Sequence, residues 1–270
     1  MKEQKKLAIL GAGSLGAAIA DGLLASGLFQ PGQITMTRRK LHLLENFRKR
    51  GVTVTDDNRK AIRESNVVII AVEPQQIDKL LEEIAADLDD DKHIVISVVT
   101  GVSLQQILGK TSKKLEVVRA MPNTAISIRE SMTCLASGST NSESMEVAES
   151  IFNTVGKSLR IEEELMGAAT ALGACGVAFF LRAIRAASQG GIEIGFSPAK
   201  ALQIAAQTAK GASSLLLENH QHPEFEIDKV TTPRGVTISG LNQMEHDGFS
   251  SAMIKGIVTS ADKAAKLYEG

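Results

Sequence analysis

Six residues, Gly11-Ala12-Gly13-Ser14-Leu15-Gly16, constrain this chain more than any other feature. They sit between a short apolar run, Leu7–Leu10, and a segment of helical periodicity, Ser14–Ser26. In that setting each glycine of a G-x-G-x-x-G run has a physical task. The first allows a tight turn, the second lets a pyrophosphate approach the backbone, and the third lets helix and strand pack closely. The exposed N–H groups and the positive end of the helix then favour an anion. By itself the hexapeptide is a weak signal, with a bland Gly-rich turn as the alternative. A second strand, Ile34–Thr37, following within about thirty residues makes the pattern that of a dinucleotide-binding βαβ unit.

The alternation continues. Further strand candidates lie at residues 52–54, 67–72, 94–98, 117–119, 132–136 and 158–161, and helix candidates at 40–50, 76–87, 103–108 and 143–154. Strands alternating with helices predict right-handed crossovers and a doubly wound parallel sheet covered on both faces, the α/β class. After Glu162 the β-branched runs vanish, and Ala-rich helical periodicity runs to Leu267, broken at Ser197-Pro198, His222-Pro223, Thr232-Pro233 and Gly248. Two domains are therefore expected, residues 1–161 binding a dinucleotide and residues 162–270 all-helical, each with a core of its own. The small residues Gly173-Ala174-Cys175-Gly176 let a helix bend or meet another backbone closely.

Composition narrows the function classes. Aromatic residues are 3% of the chain, with no Trp, and the net charge is −1, so neither the stacking platform nor the basic footprint of a nucleic-acid binder is present. No uninterrupted apolar run approaches the roughly 20 residues that span a bilayer, and no signal-peptide core follows the charged N-terminus. The two cysteines, Cys134 and Cys175, lack metal-ligand spacing and are expected as reduced thiols of a cytoplasmic protein. Five histidines are scattered, and only His220 and His222 are near neighbours, without a sensibly spaced third ligand. No metal site is expected.

The strand ending at Thr37 is followed by Arg38, Arg39 and Lys40, where an NAD-binding protein usually carries a carboxylate for the ribose hydroxyls. Cations there favour the 2′-phosphate of NADPH, with NADH as the alternative coenzyme. An ordinary basic helix start is the competing reading, weakened because cations at a helix N-terminus oppose its dipole. Ligands of open α/β sheets bind at the C-terminal strand ends. Ala71-Val72-Glu73-Pro74, Val99-Thr100-Gly101 and Arg119-Ala120-Met121-Pro122-Asn123-Thr124 all lie at C-terminal strand ends and are expected to line the nicotinamide pocket.

The run Val118-Arg119-Ala120-Met121-Pro122-Asn123-Thr124 resembles a hallmark of pyrroline-5-carboxylate reductases. So do His222-Pro223, Val230-Thr231-Thr232-Pro233-Arg234-Gly235-Val236-Thr237-Ile238 and Gly248-Phe249, in type and spacing. The chain departs from the family at three places. Arg234-Gly235-Val236-Thr237 stands where Gly-Gly-Thr-Thr is usual, Glu73 stands for a lysine, and Gly173 to Phe179 replaces a Ser-Gly-Ser-Gly-Pro-Ala-Tyr run.

The resemblance implies hydride transfer from NADPH to the C=N carbon of 1-pyrroline-5-carboxylate, giving L-proline, in a homodimer or an assembly of dimers. It adds Asn58 as a contact to the adenosine end and Glu163 near the ring substrate. Thr232-Pro233 is a good N-cap and first-turn pair, so the N–H groups of Gly235, Val236 and Thr237 are expected to open a helix and hold the substrate carboxylate, with the Thr237 hydroxyl as an added donor. Thr237, Asn123 and Glu163 are the expected catalytic positions. Related β-hydroxyacid dehydrogenases place a lysine where Phe179 stands, and alcohol oxidation needs such a base. A protonated imine does not, because holding it against the nicotinamide and excluding water is enough. Another imine reductase, a β-hydroxyacid dehydrogenase and a non-catalytic NADP-binding protein are the alternatives.

Overall fold

A strand buried on both faces must be apolar at every position, and Leu7–Leu10 and Val67–Ile70 are. In the computed structural model, which describes residues 5–112, 114–139 and 142–265, every residue of these two strands is buried. They are β1 and β4 of one eight-stranded sheet. The others are β2 (Ile34–Thr37), β3 (Thr53–Thr55), β5 (Ile94–Ser97), β6 (Glu116–Met121), β7 (Ser131–Ser137) and β8 (Gly156–Arg160). The order β3-β2-β1-β4-β5-β6-β7-β8 reverses direction between β1 and β4, the switch point at which such sheets bind nucleotides. Because Leu10 is level with Thr37 and Ile70, and Ile70 with Ser97, four strands end along one edge.

Helices cover both faces of this sheet. They are α1 (Ser14–Ser26), α2 (Glu45–Lys49), α3 (Asn58–Arg63), α4 (Ile77–Ile84), α5 (Leu104–Lys110) and α6 (Ser142–Phe152). Ile9, Ile19, Leu23, Met36 and Phe152 belong to one core, and Leu10, Ile62, Ile70, Leu81 and Ile107 to the other. Two features depart from expectation. Strand β7 runs antiparallel to β6, because the connection between them holds only the 3-10 turn Thr124–Ile128, too short for a crossover. The sheet is thus mostly rather than wholly parallel. Helix α3 was not anticipated, since only Ala61 and Ile62 of its six residues are buried and its start depends on Asp57 accepting the Lys60 N–H.

Beyond β8 the chain is helical: α7 (Met166–Ala169), a π-helical turn (Thr170–Cys175), α8 (Gly176–Glu193), α9 (Pro198–Asn219), α10 (Pro223–Val230), α11 (Val236–His246) and α12 (Phe249–Ala265). Residues 266 and 267 of the expected periodic segment lie outside the described residues. Packing divides the chain into a sheet unit, which runs through Ala174 and includes residues 261–265, and a helical unit, Cys175–Ser260. Met166 of α7 joins a small apolar cluster with Met121, Cys134 and Ala136, so the first helical turn packs with the sheet. The widened turn at Thr170–Cys175 falls where small residues predicted an irregular helix.

The helical unit has no core of its own, against expectation. From Cys175 to Ser260 only Gly176, Ser188 and Ala201 are buried. Helices α8 and α9 do approach closely, because Gly191 lacks a Cβ that would stand 3.0 Å from the Ala201 Cβ. Their outer faces stay open: Phe180 is 61% exposed and Leu217 71%. The helical stretch Glu163–Glu193, whose most apolar 18-residue window has a mean hydropathy of 1.6, is long and apolar enough to cross a membrane by length and composition alone. It is not one uninterrupted apolar run, because Arg182 and Arg185 lie within it.

Candidate active site

The turn after β1 is built as its glycines require. Gly11 has φ +79°, and a Cβ there would overlap the Val72 Cγ1 and stand 3.1 Å from the Ala71 carbonyl oxygen. That packing fixes the turn against Ala71 and Val72 at the end of β4. The Ala12 N–H donates to the Thr37 carbonyl at 2.8 Å and the Gly13 N–H to the Gly11 carbonyl at 2.6 Å. Helix α1 takes its first internal bond from the Ala17 N–H to the Gly13 carbonyl. The N–H groups of Ser14, Leu15 and Gly16 therefore form its unsatisfied first turn. No side chain caps it at Gly13 and its first turn holds no acidic residue. Beside Gly13 a Cβ would meet only the Gly11 carbonyl oxygen, at 3.9 Å, so there is open space for a phosphate. These residues fit a dinucleotide.

The end of β2 is organised by a residue that the sequence reading passed over. Thr37, 2% exposed, accepts the Gly11 N–H at 3.2 Å through its hydroxyl and donates to the Asn58 Oδ1 at 2.6 Å. Asn58 in turn donates from its Nδ2 to Glu83 at 3.1 Å. Arg38 is half-buried and reaches back to the Ala12 carbonyl at 3.3 Å, while Arg39 is exposed. The signal for Thr37 was its place as the last residue of β2, where a nucleotide ribose is read.

Along the same edge, Ala71 and Val72 are half-buried and Glu73 and Pro74 exposed. Val99 is buried, and the backbone turns at Gly101 with φ +77°. Asn123, two residues past β6, has both ends of its amide occupied. Its Oδ1 accepts the Ala125 N–H at 3.0 Å, and its Nδ2 donates to the Gly173 carbonyl of the π-helical turn at 3.2 Å. Glu163 faces Arg119 and the Leu104 N–H. The sheet unit thus gathers the expected positions from Gly11 to Glu163 at strand ends and the turns that follow them.

The remaining expected positions lie in the helical unit, together at the start of α11. Thr232 does not cap this helix. Residues 232–235 form a turn closed by the Gly235 N–H on the Thr232 carbonyl at 2.8 Å, with Pro233 second and Arg234 third at φ +63°. That is the type II pattern, which usually takes glycine at its third position. Gly235 is the N-cap, and its own Cβ would come within 2.5 Å of the Thr232 hydroxyl, so no larger residue fits. No side chain caps α11 and its first turn carries no acidic residue, which leaves N–H groups around Val236 and the half-buried Thr237 for an anion. His222 caps α10, its Nδ1 accepting the Glu224 N–H at 3.3 Å. Among the described residues no group of three or more His, Cys, Asp or Glu side chains is placed to hold a metal ion.

Comparison with known proteins brings both halves of the chain into view. Residues 163–267 match the family model described as pyrroline-5-carboxylate reductase dimerisation, and residues 6–101 that described as NADP oxidoreductase, coenzyme F420-dependent. The chain is 56% identical over 274 residues to pyrroline-5-carboxylate reductase 1 of Dictyostelium discoideum, covering 97% of this chain and 50% of that protein, so it spans half of that relative's length. Pyrroline-5-carboxylate reductase 2 of the same organism is 48% identical over 282 residues, with 98% of this chain and 94% of that protein covered. Among solved structures, a pyrroline-5-carboxylate reductase from Coxiella burnetii superposes with a TM-score of 0.94 at 30% identity, covering 98% of this chain and 99% of that one.

Proposed function

The chain belongs to the pyrroline-5-carboxylate reductase family, and on that premise we propose that it reduces the C=N bond of 1-pyrroline-5-carboxylate to L-proline with NADPH. One observation carries this reading: 48% identity is sustained over 98% of the chain and 94% of a relative bearing that name. NADPH, when bound, supplies a hydride to the imine carbon.

The protein's own share is charge and position. The first-turn N–H groups of α1 bind the pyrophosphate. Arg38 and Arg39 meet the 2′-phosphate, with NADH the weaker coenzyme. The segments Ala71 to Pro74 and Val99 to Gly101 line the nicotinamide and exclude water. Gly235, Val236 and Thr237 hold the substrate carboxylate through N–H groups and a hydroxyl. A protonated imine carbon is already electrophilic, so no general base is needed. Helix α8 agrees, opening Gly176-Val177-Ala178-Phe179-Phe180-Leu181 without an ionisable side chain.

Two further parts of the proposal concern surroundings. The exposed apolar side chains of α8 to α12, together with the dimerisation match, support a homodimer or an assembly of dimers in which a second copy covers them. Cys134 and Cys175 are free thiols, and burial raises the pKa of Cys134. Both suit the reducing cytoplasm.

The test is an initial-rate comparison following NADPH loss. Turnover with pyrroline-5-carboxylate is expected, with little or none for 3-hydroxy acids in the oxidative direction with NADP. Turnover of a hydroxy acid alone would overturn the proposal.

A further inference from the structure

An arginine inside an apolar strand is costly unless its charge is met, and removing one partner of a buried pair costs more than the pair is worth. Arg119 stands between Val118 and Ala120 in β6, with its side chain 4% exposed. Its Nη1 donates to the Glu163 Oε1 at 3.0 Å. The same oxygen accepts the Leu104 N–H at 2.7 Å. Leu104 is the first residue of α5, whose start is also fixed by a reciprocal cap between Ser103 and Gln106.

The consequence lies one step upstream and one downstream. The segment Val99-Thr100-Gly101 runs through Val102 and Ser103 directly into the helix start that Glu163 holds. Arg119 leads through Ala120, Met121 and Pro122 to Asn123, which is tied to the Gly173 carbonyl. Two of the three nicotinamide-lining segments are thus anchored to one short stretch, residues 163–173, at the start of the matched dimerisation region.

We infer that Arg119 and Glu163 are a pair of positioning residues that set the nicotinamide-lining segments 99–103 and 120–124, and that Glu163 acts through this pair rather than by touching the substrate. The inference rests on the reductase reading above and deepens it. Glu163 was expected near the ring substrate; here its Oε1 is held by Arg119 and the Leu104 N–H, with the side chain 30% exposed.

The test uses the full chain and the variants Glu163→Gln, Arg119→Lys and their combination. The first readout is the nicotinamide fluorescence of bound NADPH without substrate. All three variants are expected to shift the emission of the bound coenzyme to a common altered value, with a dissociation constant within about threefold of the unaltered protein. In turnover each single variant should lower kcat about tenfold, with the double variant no worse than the poorer single, because one shared interaction is lost. The kcat–pH profile of Glu163→Gln should keep its shape. Unaltered nicotinamide emission in Glu163→Gln, multiplying effects in the double variant, or loss of one limb of that pH profile would each overturn the inference. Should Arg119→Lys fail to fold, the emission and pH profile of Glu163→Gln decide alone. Failure of the reductase reading is seen separately, as absence of turnover with pyrroline-5-carboxylate in the unaltered protein, and leaves the binary-complex readout in force.

Discussion

The two units solve the problem of burying apolar residues in opposite ways. In the sheet unit every residue of β1 and β4 is inaccessible, and two clusters sandwich the sheet. In the helical unit Ala201 is the single buried apolar side chain, while Phe180, Leu181, Ile194, Leu217 and Val230 lie open. Both are rich in apolar residues, so composition does not separate them. What separates them is closure: a sheet with helices on both faces satisfies itself, whereas this set of helices presents surface that needs a second molecule.

That contrast is easiest to break at its strongest point. Ile69, fully buried in β4, should cost about 2–5 kcal/mol when changed to Ala, measured by urea unfolding and independent of protein concentration. The same change at Phe180 should act through assembly instead, raising the dimer dissociation constant roughly 10- to 100-fold by sedimentation, from about 1.5–3 kcal/mol of lost burial. A dissociation constant unchanged by Phe180→Ala would mean that this face meets no second copy.

Next in size is Thr237→Ala. It should lower kcat/KM for pyrroline-5-carboxylate by about one to two orders of magnitude, for a lost hydrogen bond to a charged group worth roughly 1.5–3 kcal/mol. NADPH binding should be unaffected, and unchanged kinetics would remove Thr237 from the substrate site.

Glycines sharpen the comparison. Gly156 has φ +149°, and a Cβ there would overlap the Ser131 backbone, so Gly156→Ala should destabilise by at least about 1–3 kcal/mol. Gly211, inside α9 with nothing within 4 Å of its Cβ position, should gain about 0.5–1 kcal/mol as Ala. A loss at 211 would instead mark it as part of the subunit interface.

The smallest effect is one of pH. His93, 2% exposed, accepts the Asp89 N–H at its Nδ1, and burial lowers its pKa below the ordinary 6.5. The unfolded chain therefore binds the proton more readily, and this contribution to stability is present above about pH 6.5 and lost as pH falls towards the folded value. His93→Gln should flatten the slope of unfolding free energy between pH 7 and 5, and an unchanged slope would show that His93 titrates normally.

Much of this was legible in the residues. All eight strands were expected, the central ones as β-branched or apolar runs although β8 holds no β-branched residue, and the glycine turn announced its place because strand, turn and helix follow without interruption. The direction of β7 was not legible, since it depends on the length of a connection rather than on the strand. Helix α3 was hidden by its charge, with two buried residues in six. Thr37 and the Arg119–Glu163 pair were missed for a shared reason: their partners lie 21 and 44 residues away in sequence, and only the fold brings them together. Thr232-Pro233 reads locally as a helix start, yet the positive φ at Arg234 shifts the cap to Gly235.

Reduction with NADPH carrying deuterium at the transferable C4 position, followed by mass spectrometry and NMR of the product, tests the function most directly. One deuterium at C5 of L-proline is the outcome required by hydride delivery to an imine carbon held by its carboxylate. Consumption of the labelled coenzyme with unlabelled proline, or with no proline formed, would contradict it.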